Sequence, residues 1–100
     1  MTQQAAAILK RARERASAAR EQHAAERMNW KAATDAISAA AARGEAEVAI
    51  AGPEGVNLQD APTAAETTRK LAAGGFAVDW IERPPMRPGD PKIWSLLIRW

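Results

Sequence analysis

Apolar positions recur every three or four residues through the first part of the chain. Beyond Gly44 they alternate with polar ones in short runs. The recurring positions in the first part are Leu9, Ala12, Ala16, Ala19, His23, Glu26, Trp30, Ala33, Ile37 and Ala40. They form an a/d heptad seam whose members are mostly small. Neither Pro nor Gly occurs from Thr2 to Arg43, where Ala, Arg, Glu, Gln and Lys dominate. These are strong helix formers, and Gly44 supplies a stop. The pattern predicts one long helix, or two nearly collinear ones broken at Met28-Asn29-Trp30 with Asn29 as N-cap. A tight hairpin would want Gly or Pro at its corner, and neither is there.

The second part reads differently. Val48 and Ile50 alternate with Glu47 and Ala49, which predicts a strand over Glu45–Ala51. Gly52-Pro53-Glu54-Gly55 is a turn, and 56–60 is a loop or a short extended piece. Thr63 is placed to cap a helix over 64–73, with Glu66 completing a capping box. Ala64, Thr68, Leu71 and Ala72 lie on one stripe of that helix, and Gly74-Gly75 ends it. Phe76, Val78 and Trp80 mark a half-buried strand. A stiff connection with Pro84, Pro85, Pro88, Gly89 and Pro91 leads to a last strand over 92–100. There Trp94, Leu96, Ile98 and Trp100 share a face, with Ile93 and Leu97 on the other, as expected of a central or doubly covered strand. The last two strands should form an antiparallel hairpin. A right-handed crossover would set the first strand parallel to one of them. The expectation is an α+β chain, with a long Ala-rich helix (1–43) as a docking arm. Residues 44–100 would form a three-stranded β-α-β-β unit with one packed helix.

Composition sharpens this division. Residues 1–43 hold 16 alanines and, beyond Met1, only five large apolar residues: Ile8, Leu9, Met28, Trp30 and Ile37. Residues 44–100 hold 16 large apolar residues. An alanine seam permits close approach but buries little area, so the helix is expected to lie against its own domain or pack in a larger oligomer. The net charge of +2 divides into eight bases against four acids in 1–43 (+4) and six against eight in 44–100 (−2). The basic end could meet nucleic acid or an acidic protein surface, although its interleaved acids suit a solvated helix as well. There is no cysteine, which excludes disulfides and thiolate metal sites. No apolar run approaches the roughly 20 residues that span a bilayer, and the N-terminus is not patterned as a secretory signal. A cytoplasm-like environment is expected.

Reactive constellations are not apparent. Ser17, Ser38 and Ser95 have no His or Cys neighbour to activate them. His23 is the one histidine, without companions for a metal. Glu45 and Glu47 point the same way, but no ring of oxygen ligands follows. The Gly52–Gly55 turn lacks the Gly-Lys-Ser/Thr ending of a phosphate loop. No catalytic residue, cofactor or metal is therefore expected. Trp80, Trp94 and Trp100 have core spacing. Trp30 either packs on the sheet or anchors a partner. Arg83, Arg87 and Lys92 flank the proline loop, where they are solvated or grip an acidic surface.

Ala36-Ile37, Arg43-Gly44 before Val48-Ala49-Ile50, Leu71 with Gly74-Gly75-Phe76-Ala77-Val78, and Leu96-Leu97-Ile98-Arg99-Trp100 follow one another in order. In this layout residues 36–100 resemble small virion-associated proteins of tailed bacteriophages. The resemblance implies a non-enzymatic, multi-copy component of the neck, tail, baseplate or capsid surface. It would be found in the virion, and in the host bacterial cytoplasm during assembly. Its partners would be other virion proteins or copies of itself, not a membrane. The expected contact residues are Leu9, Ala12, Ala16, Ala19, His23, Trp30 and Ile37. The rival expectation is a small winged-helix-like DNA-binding regulator, in which Arg69 and Lys70 of the 64–73 helix would face phosphates.

Overall fold

The computed structural model describes residues 3–85 and 87–100; Thr2, where the sequence pattern starts the first helix, lies outside them. The elements in order are α1 (Gln3–Arg27), α2 (Trp30–Ala42), β1 (Glu47–Ala51), α3 (Pro62–Ala73), β2 (Ala77–Arg83) and β3 (Ile93–Arg99). The class is α+β, as the patterning predicts. The N-terminal segment is two helices, the alternative with a break at Met28-Asn29-Trp30 and Asn29 as N-cap. At Asn29 the backbone turns extended (φ −70°, ψ 167°) and its side chain serves both helix ends. Its Oδ1 accepts from the Ala32 N–H at 2.8 Å and its Nδ2 donates to the Ala25 carbonyl at 2.6 Å. Unpaired donors and acceptors at two helix termini are met by one residue.

Burial explains why the break falls there. Ala24, Met28, Ala33 and Ala40 are fully buried. Ala24 lies on α1 and Met28 one turn later, just past its last residue; Ala33 and Ala40, with half-buried Ile37 between them, define the inner face of α2. A straight helix would carry these two stripes past the sheet at one angle. The break lets α1 turn its Ala24–Met28 face to α3 and α2 its Ala33–Ala40 face to β1. On α1 the buried stripe is offset from the heptad seam, because Met28 rather than Glu26 is the residue that fills the core. Residues 20–43 therefore share one core with the sheet.

The sheet order is β1-β3-β2, all neighbours antiparallel. Val48 faces Ile98 and Ile50 faces Leu96 on one side of β3; Val78 and Trp80 face the same two residues from the other. This row is the inner face, closed by Leu58, Ala61, Ala64 and Leu71. The first strand does run parallel to β2, but with β3 inserted between them, so it pairs with neither as a parallel neighbour. The central strand is the last one, as its apolar residues on both faces require.

Three local expectations are corrected. The α3 helix starts at Pro62 with Ala61 as N-cap, and no side chain of its own caps it. Pro suits the first helical position, where no N–H is needed, and this shifts Thr63 inside the helix; Glu66 pairs with Lys70 at 3.2 Å instead of closing a box. Thr67, at 2% exposure, takes the buried place expected of Thr68 and Ala72. Trp100 remains 42% exposed. Its ring meets Phe76 edge-on at 6.3 Å, and its N–H donates to the Ala46 carbonyl at 3.0 Å, which ties the last residue down.

Met28→Ala should destabilise the whole body by about 2–5 kcal/mol, the range for emptying a buried methionine site. Urea unfolding followed through tryptophan fluorescence would show it. A body indifferent to this change would mean that residues before Gly44 are not part of its core.

Candidate functional site

Residues 3–19 of α1 are exposed without exception. At 1.5 Å per residue this stretch is about 25 Å long, in a molecule that measures 57 × 34 × 18 Å along its principal axes. This arm carries Lys10, Arg11, Arg13 and Arg15 against Glu14, a net +3, and none of the four cations is ion-paired to a described residue. Ile8 and Leu9 are the arm's large apolar residues, 61% and 41% exposed. Being exposed, this stretch has little of the tertiary packing from which most helical stability in proteins comes.

Where the arm meets the body, one carboxylate fastens it. The Thr63 N–H donates to Glu21 Oε1 at 2.7 Å and the Thr63 hydroxyl to Oε2 at 2.6 Å. Glu21 thus supplies, from 42 positions away, the cap that α3 lacks. The negative charge also sits at the positive end of the α3 dipole. The hydroxyl bond first, and the backbone bond second, hold the Glu21 carboxyl below its ordinary pKa of 4.5, against a smaller opposing effect of burial.

Beside this joint a groove of about 420 Å³ opens between α1 and the loop that leads into α3. Ala16, Ala19, Arg20 and His23 form one wall; Gly55, Val56, Asn57 and Asp60 form the other. The alanines leave the room, since larger side chains would fill it. The far wall is held to the sheet through Gly52, whose N–H donates to the Trp94 carbonyl at 2.9 Å, and Gly55, whose N–H donates to the Lys92 carbonyl at 2.8 Å. Gly55 has φ +73°, and a Cβ there would lie 3.0 Å from the Pro91 Cβ, so the turn needs glycine. The groove thus sets a cation, an imidazole, an amide and a carboxylate beside small apolar side chains.

The expected contact residues divide into three groups. Leu9 and Ala12 lie on the free arm, and Ala16, Ala19 and His23 line the groove lower on the same stripe. Ile37 packs against the core of its own chain. Trp30 is 45% exposed and lies under Lys70, whose Nζ is 5.7 Å from the ring centroid. Glu21 and the loop wall were missed: a carboxylate that caps a remote helix leaves no local spacing to find. The one hint was Pro62, which makes Thr63 a poor N-cap.

Among the described residues no group of three or more His, Asp or Glu is arranged to hold a metal ion, and no helix is long and apolar enough to cross a membrane. Comparison with protein-family models, curated proteins and solved structures finds no match for the chain.

Glu21→Gln should lower stability at neutral pH by about 1 kcal/mol, the usual worth of an N-cap. A carboxyl held below its ordinary pKa stabilises above the unfolded-state value and loses that contribution as pH falls through the folded one. The gap between wild type and Glu21→Gln should therefore close as pH drops below 4.5. Thermal melts from pH 7 to pH 3 would test this; a gap that persists in acid would remove the carboxylate cap from the account.

Proposed function

We propose that this chain is a non-enzymatic structural component of a tailed-phage virion, joined to other virion proteins or to copies of itself through its N-terminal helix. The observation that carries the docking role is the arm itself. Residues 3–15 run on as helix past the groove with every residue exposed. A helix with little tertiary packing gains stability when a partner covers it. Ile8 and Leu9 supply the apolar contact and the four cations select an acidic neighbour. The phage setting is supported by the sequence likeness over residues 36–100. In that setting the protein acts in the particle, having been made in the host bacterial cytoplasm.

The DNA-binding regulator finds less support. Lys70 is engaged by Glu66 and by the Trp30 ring, and the N-terminus of α3 is already occupied by the Glu21 carboxylate. Among the described residues that leaves Arg69 as the unpaired cation of α3, whereas strong phosphate binding needs several.

A variant with Ile8→Glu, Leu9→Glu and Ala16→Glu changes only exposed positions, so its near-ultraviolet dichroism should match wild type. It should fail to enter particles and lose higher-order species in light scattering. Assembly equal to wild type would show that the arm is not the contact. A salt-sensitive gel shift with duplex DNA that Arg69→Ala abolishes would favour the regulator instead.

A further inference from the structure

The charges of α1 are sorted about its axis. In the heptad frame set by Leu9, Ala12, Ala16, Ala19 and His23 at a and d, the flanking e and g positions are Ile8, Arg13, Arg15, Arg20 and Gln22. Both acids of this stretch, Glu14 and Glu21, fall at f, on the opposite side. Glu21 is turned there to Thr63 of the body. Three arginines and no carboxylate therefore border the seam. None of the three is ion-paired to a described residue. The body leaves this side of the helix open. Ala16, Ala19 and His23 of the seam, with Arg20, form one wall of the groove, whereas the core takes Ala24 and Met28, at b and f.

We infer that the arm's partner is an acidic amphipathic helix of a different protein, laid along the seam from Ile8 to Ala19. Its glutamates or aspartates lie against Arg13, Arg15 and Arg20. The inference rests on the docking role proposed above and names the chemistry of the partner. Charges at e and g set which helix a coiled-coil seam accepts. Here they are of one sign, so the complementary helix carries the other. Ile8 and Leu9, 61% and 41% exposed, give it an apolar anchor at the outer end. Below them the alanines let two helix axes approach closely. Twelve residues of seam, about 18 Å at 1.5 Å per residue, offer about three turns of contact.

A second copy does not meet this requirement. Two arms side by side would set arginine against arginine, whether e faces g in a parallel pair or each faces its own kind in an antiparallel one. The other helices are no substitute. α2 and α3 hold one acid each, Asp35 and Glu66, and each is paired with a lysine of its own helix, Lys31 and Lys70. A nucleic acid responds to cations on any side of a helix. It would draw on Lys10 and Arg11, at b and c, as readily as on the arginines of the seam, and gives no reason for the acids to be confined to f. Because alanines bury little area, the arginine contacts decide selectivity, and binding through them weakens as salt rises.

The probe is a labelled synthetic peptide of three heptads with Leu at a and d and Glu at e and g, which its own charge keeps from pairing with itself. A second peptide has Lys in place of Glu. Each is titrated with the full chain and followed by fluorescence anisotropy. The Glu peptide should bind, more weakly at high salt, and the Lys peptide should not. Arg13→Glu with Arg15→Glu should weaken binding of the Glu peptide at least about tenfold and admit the Lys peptide. Lys10→Glu with Arg11→Glu changes the net charge equally but away from the seam, and should keep the wild-type preference. Near-ultraviolet dichroism would show each variant folded. Failure of wild type to bind the Glu peptide would overturn the inference. Equal loss in the two double variants would do so as well, and is the result expected of a nucleic acid. So would self-association that Arg13→Glu with Arg15→Glu abolishes, the mark of a second copy on the seam. The docking role is judged separately by the Ile8→Glu, Leu9→Glu and Ala16→Glu variant. If that variant fails to assemble while wild type ignores the Glu peptide, the arm docks, but not on an acidic helix.

Discussion

Met28 and Asn29 stand at the break between α1 and α2, where the two helices turn to different neighbours. Met28 is wholly enclosed, and Asn29 satisfies the last turn of α1 and the first turn of α2 with one side chain. Without the break, an alanine-rich helix would offer a single narrow stripe to a sheet and a helix that lie in different directions. With it, small residues approach closely on both sides. Ala24 and Ala33 each reach zero exposure despite burying little area. The large volume at the centre comes from Met28, whose flexible thioether adapts to an irregular gap.

Glu21 extends this junction. Its carboxylate closes the amino end of α3 from another element, so the base of the arm and the start of α3 are coupled. Movement of the arm about its root would uncap α3, and a contact that orders the arm would in turn favour the capped state. The groove next to this joint is bounded by the same two elements, and its far wall is pinned to β3 through Gly52 and Gly55. A segment bound there would touch the one place where arm and body are already tied.

Much of this was legible in the residues. Alternation at Val48/Ile50, Val78/Trp80 and Leu96/Ile98 specified the inner row, and apolar residues on both faces of the last strand marked it as central. Gly44 and Gly74-Gly75 ended their helices as their backbone freedom suggests. Less legible was anything set by contact between distant segments. Asn29 was visible as a cap and the break beside it as one of two alternatives; that Met28 fills the core was not visible. The capping box at Thr63 was a sound local reading that Pro62 and Glu21 displaced. The heptad seam held through Ala33, Ile37 and Ala40, and slipped on α1, where the core selected Ala24 and Met28. Of the contact residues on α2, Ile37 was drawn against the core while Trp30 stayed 45% exposed; those on the arm stayed outside the core.

The arm differs from the rest of the chain in having every residue from 3 to 19 exposed. Lys10, Arg11, Arg13 and Arg15 outnumber Glu14 there, so two arms laid side by side would repel each other. A contact made through the arm would therefore be with a surface of different character, and between copies of this chain it would be heterologous, linking them into rings or open arrays according to the rotation at the contact.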